Sequence, residues 1–448
     1  MRQGRQSNLE FLTSVAHRWR AVGSASAAFL ARTTNATLSY LSSILYARIL
    51  NIEDFSSVIS WTSFANLSAI LLAVGVPTYV SREISRARAN QRSAVLTAQF
   101  VFGTRMCFAS AIVLVGIGFG FSNFVAFRAG SDQKLLPFLS FCSSAISIFA
   151  AYYAAVILAF DRVKSSLWLS TTPLLVTTSA AALIYFLKIP TAAVGIAVLA
   201  LGGFLVAALI GRLLAQSETN AFASAAALTV SPSYISWLGR SAAIGINQVL
   251  ASSLTQVDIL LLGRVGAAED TSMYFAASRL AFITTFFFVA TASIIGPRIS
   301  FLSSEADRSR LEKYCRDMAL LSFIVAALIA LFVVIARNRL LALFGDHFVL
   351  ASPLLLTLTL GWLLSLGFGF SQIVLVMTGF EKDASTVLVS TLSINVVGDL
   401  LVIPTFGAYG VSWVAVASMI WMASLSSFAV RRRLGLKIDV ISALRARS

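Results

Sequence analysis

Five charged residues lie inside long apolar runs: Arg32, Arg105 and Arg279, and the acids Asp258 and Asp399. If such runs cross a bilayer, each arginine costs about 2.5–3.5 kcal/mol on insertion scales when it meets lipid, so each is expected to face protein or water. A guanidinium in a hydrated groove is a bidentate partner for phosphate oxygens. An intramembrane carboxylate, in turn, is suited to holding a proton or an ion. Helical spacing places Arg32, Asn35, Ala36, Ser39 and Ser43 on one stripe, and Gln248, Ser252 and Thr255 on another. Arg32, Asn35, Ser39, Arg105, Gln248, Thr255 and Arg279 are therefore candidate substrate-binding residues, and Asp258 and Asp399 are candidates for ion or proton coupling. Each has a plainer alternative. Arg32 can be an interior hydrogen-bonder, and Arg279 can pair with Asp258 to hold two helices together. Arg105 can pack within a lobe or snorkel, and Asp399 can form a structural ladder with Asn395 one turn earlier.

Other chemistries are poorly supplied. The chain has two histidines and three cysteines (Cys107, Cys142, Cys315), with no Cys/His spacing suited to a metal. It contains no Walker-type Gly-Lys-Ser/Thr, so nucleotide hydrolysis is not expected. No cofactor or catalytic residue is expected.

The elements that position these residues follow from composition. Of 448 residues, 58% are hydrophobic and 12% charged, with mean hydropathy +0.85, whereas soluble domains average about 25% charged. The net charge of +15 would suit nucleic acid only on a water-soluble fold with basic faces, and too few charges exist to coat one. The chain reads as an all-α polytopic membrane protein. Apolar windows broken at charges and turns predict twelve spans, near 24–46, 56–80, 95–120, 135–159, 166–187, 192–213, 239–262, 272–296, 318–336, 350–378, 384–403 and 408–430. The last two are divided at Pro404-Thr-Phe-Gly-Ala-Tyr-Gly410, a turn-like run. Placing the N-terminus inside puts 24 Lys/Arg on the cytoplasmic side and 7 opposite, so both termini are expected in the cytoplasm. All loops are short, and the basic ones also suit anionic lipid headgroups.

An internal repeat organises the spans. Arg48, Glu53, Asp54, Ser56 and Arg82 recur as Arg264, Glu269, Asp270, Ser272 and Arg298, each displaced by 216 positions. The same displacement carries Arg32 to Gln248, Ser39 to Thr255 and Ser42 to Asp258. The expected plan is an N-lobe over 1–215, a cytoplasmic interfacial connector over 216–235, a C-lobe over 236–430 and a basic cytoplasmic tail over 431–448. Two six-helix bundles related by a pseudo-two-fold axis along the membrane normal match transporters that rock about a site between repeats.

Four stretches carry a family resemblance: Phe29-Leu-Ala-Arg32 with Leu45-Tyr-Ala-Arg48 and Glu53-Asp-Phe55; Asp258 to Gly263 with Tyr274 to Leu280 and Gly296-Pro-Arg298; Gly345-Asp-His-Phe348 with Thr378 to Lys382; and Asn395 to Gly410. Together they resemble the polysaccharide-export flippases, the Wzx-type branch of the MOP superfamily that also holds MATE exporters and the lipid II flippase. The resemblance implies a V of two bundles that moves an undecaprenyl-diphosphate-linked oligosaccharide to the outer leaflet of the bacterial inner membrane. Polar or charged residues are common in the family at the positions of Arg32, Asp258 and Arg279. At 399 the family more often has Asn, and Arg105 matches no family position. Expected partners are the lipid-linked oligosaccharide and membrane lipids, with a polysaccharide polymerase and a chain-length regulator as candidates; no nucleic acid is expected, and the chain is expected to be a monomer. A cation-coupled MATE-like exporter and a polysaccharide polymerase or ligase are the rival readings.

Overall fold

The computed structural model describes residues 30, 33–129, 134–220, 234–304 and 308–445, and these contain helices and connecting turns but no strand. In chain order the helices are α1 (33–49), α2 (Ile52–Ala73), α3 (Val76–Ala89), α4 (Ser93–Ala129), α5 (Leu135–Ala159), α6 (Val163–Leu187), α7 (Ala193–Asn220), α8 (Tyr234–Val265), α9 (Ala268–Phe282), α10 (Phe286–Ser304), α11 (Arg308–Ala342), α12 (Ser352–Leu366), α13 (Ser371–Met377), α14 (Glu381–Leu434) and α15 (Val440–Arg445). Among the described residues, ten helices are long and apolar enough to cross a membrane. The 54-residue α14 is two legs joined at Gly407, whose φ of 52° and ψ of −137° are not helical. With both legs and α1 counted, the expected twelve-span, two-lobed plan is present. Large apolar side chains such as Leu328, Leu331, Phe332 and Ile335 stand exposed along one face of α11, as lipid-facing residues do.

The repeated Arg-x4-Glu-Asp-x-Ser motif starts the second helix of each half. The Asn51 side chain accepts from the Asp54 backbone N–H at 2.7 Å and caps α2. Glu53 and Asp54 stand in the first turn of α2, as Glu269 and Asp270 do in α9, where acids complement the helix dipole. Asp270 also packs directly on Gly407. A side chain at Gly407 would collide with that carboxylate, so the corner between the α14 legs and the start of α9 fit only with glycine there.

Three predicted spans are broken rather than continuous. The second bends at Val74 and Gly75, both left-handed, after which Val76 and Pro77 open α3. The eighth passes through a 3₁₀ turn at Ile283–Thr285 between α9 and α10. The tenth is interrupted between α12 and α13. Of the expected connector, residues 216–220 belong to α7 and 234–235 to α8, while 221–233 lie outside the described residues.

The lobes meet along an antiparallel seam of α2 and α3 against α8. Ser60 lies against Gly263 at one end, and Gly75 against Gly245 at the other. Ser241 Oγ donates to the Val74 carbonyl at 2.5 Å. The symmetry-related contact joins α1 and α9, where the Tyr40 hydroxyl donates to the Arg279 carbonyl. One hydrophobic cluster crosses the seam near the start of α2: Phe55 packs edge-on against Phe275 (5.8 Å) and Phe348 (5.9 Å). Nearby, Arg48 donates to the Leu343 and Ala342 carbonyls at 2.6 and 2.8 Å, capping the end of α11 from the other lobe.

The segment read as a basic cytoplasmic tail is, to residue 445, largely packed as a strap on the preceding helices. Residues 431–434 finish α14, and the chain then turns back so that Leu436, Ile438, Val440 and Ala443 bury against Cys315, Ala319 and Phe370. The Val440 N–H donates to the Gly367 carbonyl at 3.0 Å, which satisfies backbone at the α12–α13 break. Burial alone would raise the Asp439 carboxyl, but the Ser442 backbone N–H, the Arg431 guanidinium and the Ser442 hydroxyl hold it below the usual carboxylate value.

Two outcomes are expected. A Cβ at Gly245 would stand 2.7 Å from the Gly75 nitrogen, so Gly245→Val should part the lobes at this point. The check is loss of a disulfide engineered between Ser241→Cys and Val74→Cys. Asp439 stabilises the strap above about pH 4, and that contribution is lost as pH falls through its lowered value. Asp439→Asn should therefore expose the strap to limited proteolysis at neutral pH, weakening its docking by about 1.5–3 kcal/mol, whereas the native strap should become labile only in acid.

Candidate functional site

The polar side chains expected on spans seven and eight converge in the C-lobe. A cavity of about 260 Å³ lies between α8, α9, α12 and the two legs of α14. Its polar wall is made by Thr255, Asp258, Tyr274, Arg279, Asn395 and Ser418, and Trp362 and Met419 contribute apolar surface. The elements explain the convergence. Thr255 and Asp258 are one turn apart on α8, and on α9 Tyr274 lies one turn before the neighbours Ser278 and Arg279, just ahead of the 3₁₀ turn.

At the back of the cavity the Tyr274 hydroxyl donates to Asp258, both residues being buried. Asn395 and Asp399, one turn apart on the first leg of α14, bring their side chains within hydrogen-bonding reach of Asp258. Asp399 is fully buried, and neither of its carboxylate oxygens has a donor among the described residues; the same holds for Asp258 Oδ1. Ionised carboxylates only accept, and two of them side by side in a dry helix bundle repel. The Asn395 carbonyl oxygen, also buried without a donor among the described residues, belongs to the same cluster.

Arg279 sits at the seam side of the cavity. Its guanidinium lies over the Phe275 ring, 4.8 Å from the centroid. Among the described residues no acid pairs with it, so the alternative ion pair with Asp258 is not formed: Asp258 is engaged by Tyr274 instead.

The other expected site residues fall elsewhere. Arg32 lies outside the described residues. Asn35 and Ser39 are half-buried on α1; Asn35 Oδ1 is buried without a hydrogen bond, and the Ser39 carbonyl accepts from Ser42 and Ser43 at 2.9 and 2.8 Å. Gln248 is exposed on α8 and does not line the cavity, whereas Thr255 does. Arg105 does not line this cavity; it shares an exposed face of α4 with Val101, Phe108 and Ile112, while Phe102, Cys107 and Leu114 are buried in the N-lobe. Tyr274, Ser418, Trp362 and Met419 were not singled out by type or spacing. Only the Tyr at 274, sixteen positions after Asp258, carried a signal, because a buried phenol needs a partner.

The two lobes and the cavity beside their meeting have a fold that solved membrane transporters of the MOP superfamily share. A solved inward-facing multidrug resistance MATE family transporter superposes with a TM-score of 0.74 over 94% of this chain and 100% of that one, at 13% identity. A MOP superfamily transporter from Pyrococcus furiosus gives 0.63 over 94% and 96% at 14% identity. The lipid II flippase MurJ in an inward closed conformation gives 0.62 over 92% and 87% at 13% identity. At such identities the likeness extends to the fold alone. The chain belongs to the polysaccharide biosynthesis protein family, whose model matches residues 22–303. The MatE family model also matches, over residues 243–401. No curated protein matches the sequence.

Tyr274→Phe removes the donor to Asp258 and leaves a second buried carboxylate oxygen without a partner. It should lower the stability of the purified protein by about 1–3 kcal/mol, read as an earlier thermal unfolding transition in detergent. An unchanged transition would mean that Asp258 is not held by this hydroxyl.

Proposed function

We propose that the chain flips an undecaprenyl-diphosphate-linked oligosaccharide from the cytoplasmic to the outer leaflet of a bacterial inner membrane, for surface polysaccharide biosynthesis, with both termini in the cytoplasm. The observation that carries the reading is Arg279: a cavity-lining guanidinium without an acid partner among the described residues, in a chain of the polysaccharide biosynthesis family. Its planar fork suits a diphosphate. The diphosphate and sugars pass through the hydrated space between the lobes while the prenyl chain stays in the bilayer. Alternating access follows from rocking about the α2–α8 and α1–α9 contacts. With the cytoplasm negative, outward movement of each negative charge gains about 2.3 kcal/mol per 100 mV, and the Asp258–Asp399 pair couples a proton or cation to the cycle. A polymerase and a chain-length regulator are the partners such a product would meet.

A second reading rests on its own observation. The paired carboxylates lie inside the segment matched by the MatE model, and an exporter of small organic cations driven by protons or sodium would use such a pair.

The two readings predict different losses. Under the first, Arg279→Ala should reduce surface polysaccharide at least tenfold in a complementation assay while protein level stays normal, and full complementation would remove the cationic-cavity claim. Under the second, Asp399→Asn should abolish ion-driven efflux of an organic cation from everted vesicles and leave surface polysaccharide untouched.

A further inference from the structure

A second cavity, of about 610 Å³, opens between the lobes at the end of the bundle where α3, α8 and the start of α14 carry basic and acidic residues. The N-lobe contributes Thr78, Tyr79, Arg82, Glu83 and Arg86 from α3, and the C-lobe contributes Arg240, Asn247 and Glu381. It lies just past the Gly75–Gly245 contact, so its walls belong to two bodies that touch at its roof.

The charges in it are not mutually satisfied. Arg86 pairs with Glu83 on its own helix at 2.8 Å. Glu381 stands in the first turn of α14, where the helix dipole complements it. Among the described residues, Arg82 on one wall and Arg240 on the other make no ion pair. Between them the Tyr79 hydroxyl is buried beside Arg240 and Gln99 yet makes no hydrogen bond of normal geometry, and Gln99 Oε1 is likewise buried without a partner. The two guanidinium groups at this cleft are donors suited to an acceptor with several oxygens.

We infer that this cleft is a docking site for a lipid-borne phosphate or diphosphate, held by Arg82 from the N-lobe and Arg240 from the C-lobe. The inference rests on the flippase reading for the carrier lipid, but not for the site itself. An occupant touching both arginines ties the lobes together at this end, and its removal frees them to part. The site is separate from the Arg279 cavity, whose walls are all in the C-lobe.

The full-length protein in phosphatidylcholine nanodiscs is titrated with farnesyl diphosphate, with pyrophosphate and with added phosphatidylglycerol, each followed by native mass spectrometry. Arg82→Gln and Arg240→Gln should each weaken farnesyl diphosphate binding about tenfold or more, Arg82→Lys should recover part of it, and Arg264→Gln, on another part of the molecule, should change nothing. Both arginines are exposed, and an unaltered gel-filtration profile confirms that the variants are folded. If the double variant binds every probe as the unaltered protein does, or the unaltered protein binds none, the site is overturned. If phosphatidylglycerol binds through Arg82 and farnesyl diphosphate does not, the lipid-phosphate site stands and the carrier-lipid reading falls. If Arg279→Ala abolishes polysaccharide export while Arg82→Gln and Arg240→Gln bind farnesyl diphosphate normally, the flippase reading stands and the docking site falls.

Discussion

The close approach of α2 and α3 to α8 is the contact on which the rest of the molecule depends. Between apolar helices in lipid, no hydrophobic force favours protein over solvent, so association rests on packing and on residues small enough to let backbones meet. Here the meeting points are Gly75 with Gly245 and Gly263 with Ser60. Because they sit near opposite ends of the seam, they fix both the distance and the crossing of the two lobes. The aromatic cluster around Phe55, the capping of α11 by Arg48 and the facing of Arg82 and Arg240 all depend on that spacing.

The lobes share a scaffold but not a chemistry. The 216-residue repeat reproduces helix starts and the arginines at helix ends, which are constraints of folding and topology. The carboxylate pair is not reproduced. The positions equivalent to Asp258 and Tyr274 are Ser42 and Val58, both packed among buried neighbours. The repeat gives two lobes of one plan, and among the described residues only the C-lobe carries the carboxylate pair.

Much of this was legible because a bilayer restricts what a sequence can do. A run of about 20 apolar residues has few alternatives to a span, and the repeat motif at Arg48 and Arg264 marks the same helix start twice. The break at Val74-Gly75 was also open to reading, since Gly-Val-Pro signals both a left-handed turn and a new helix. By contrast, Ile283-Thr284-Thr285 has no breaker residue; the turn packs against α11 and α12, contacts that no local pattern in the sequence announces. At the site, Asp258, Asp399 and Arg279 stood out as charges among apolar neighbours. Whether such a charge faces a cavity or the outside depends on which side of its helix is packed. Spacing within one helix does not tell that, so Arg105 read the same as Arg279. Tyr274 was hidden for the opposite reason: its type is ordinary in a span, and its role comes from meeting Asp258.

The 3₁₀ turn also sets a mechanical property of the lobe. Such a turn advances roughly 120° and 2.0 Å per residue, against about 100° and 1.5 Å for an α-helix. Its three residues therefore hold roughly 60° of twist and about 1.5 Å of length in reserve. Rewinding this one turn into α-helix would swivel α10 about its axis and draw it toward α9, with no loop movement required. Arg279 lies one turn before that joint, so the cation and the far half of its span are linked as the two ends of a short screw.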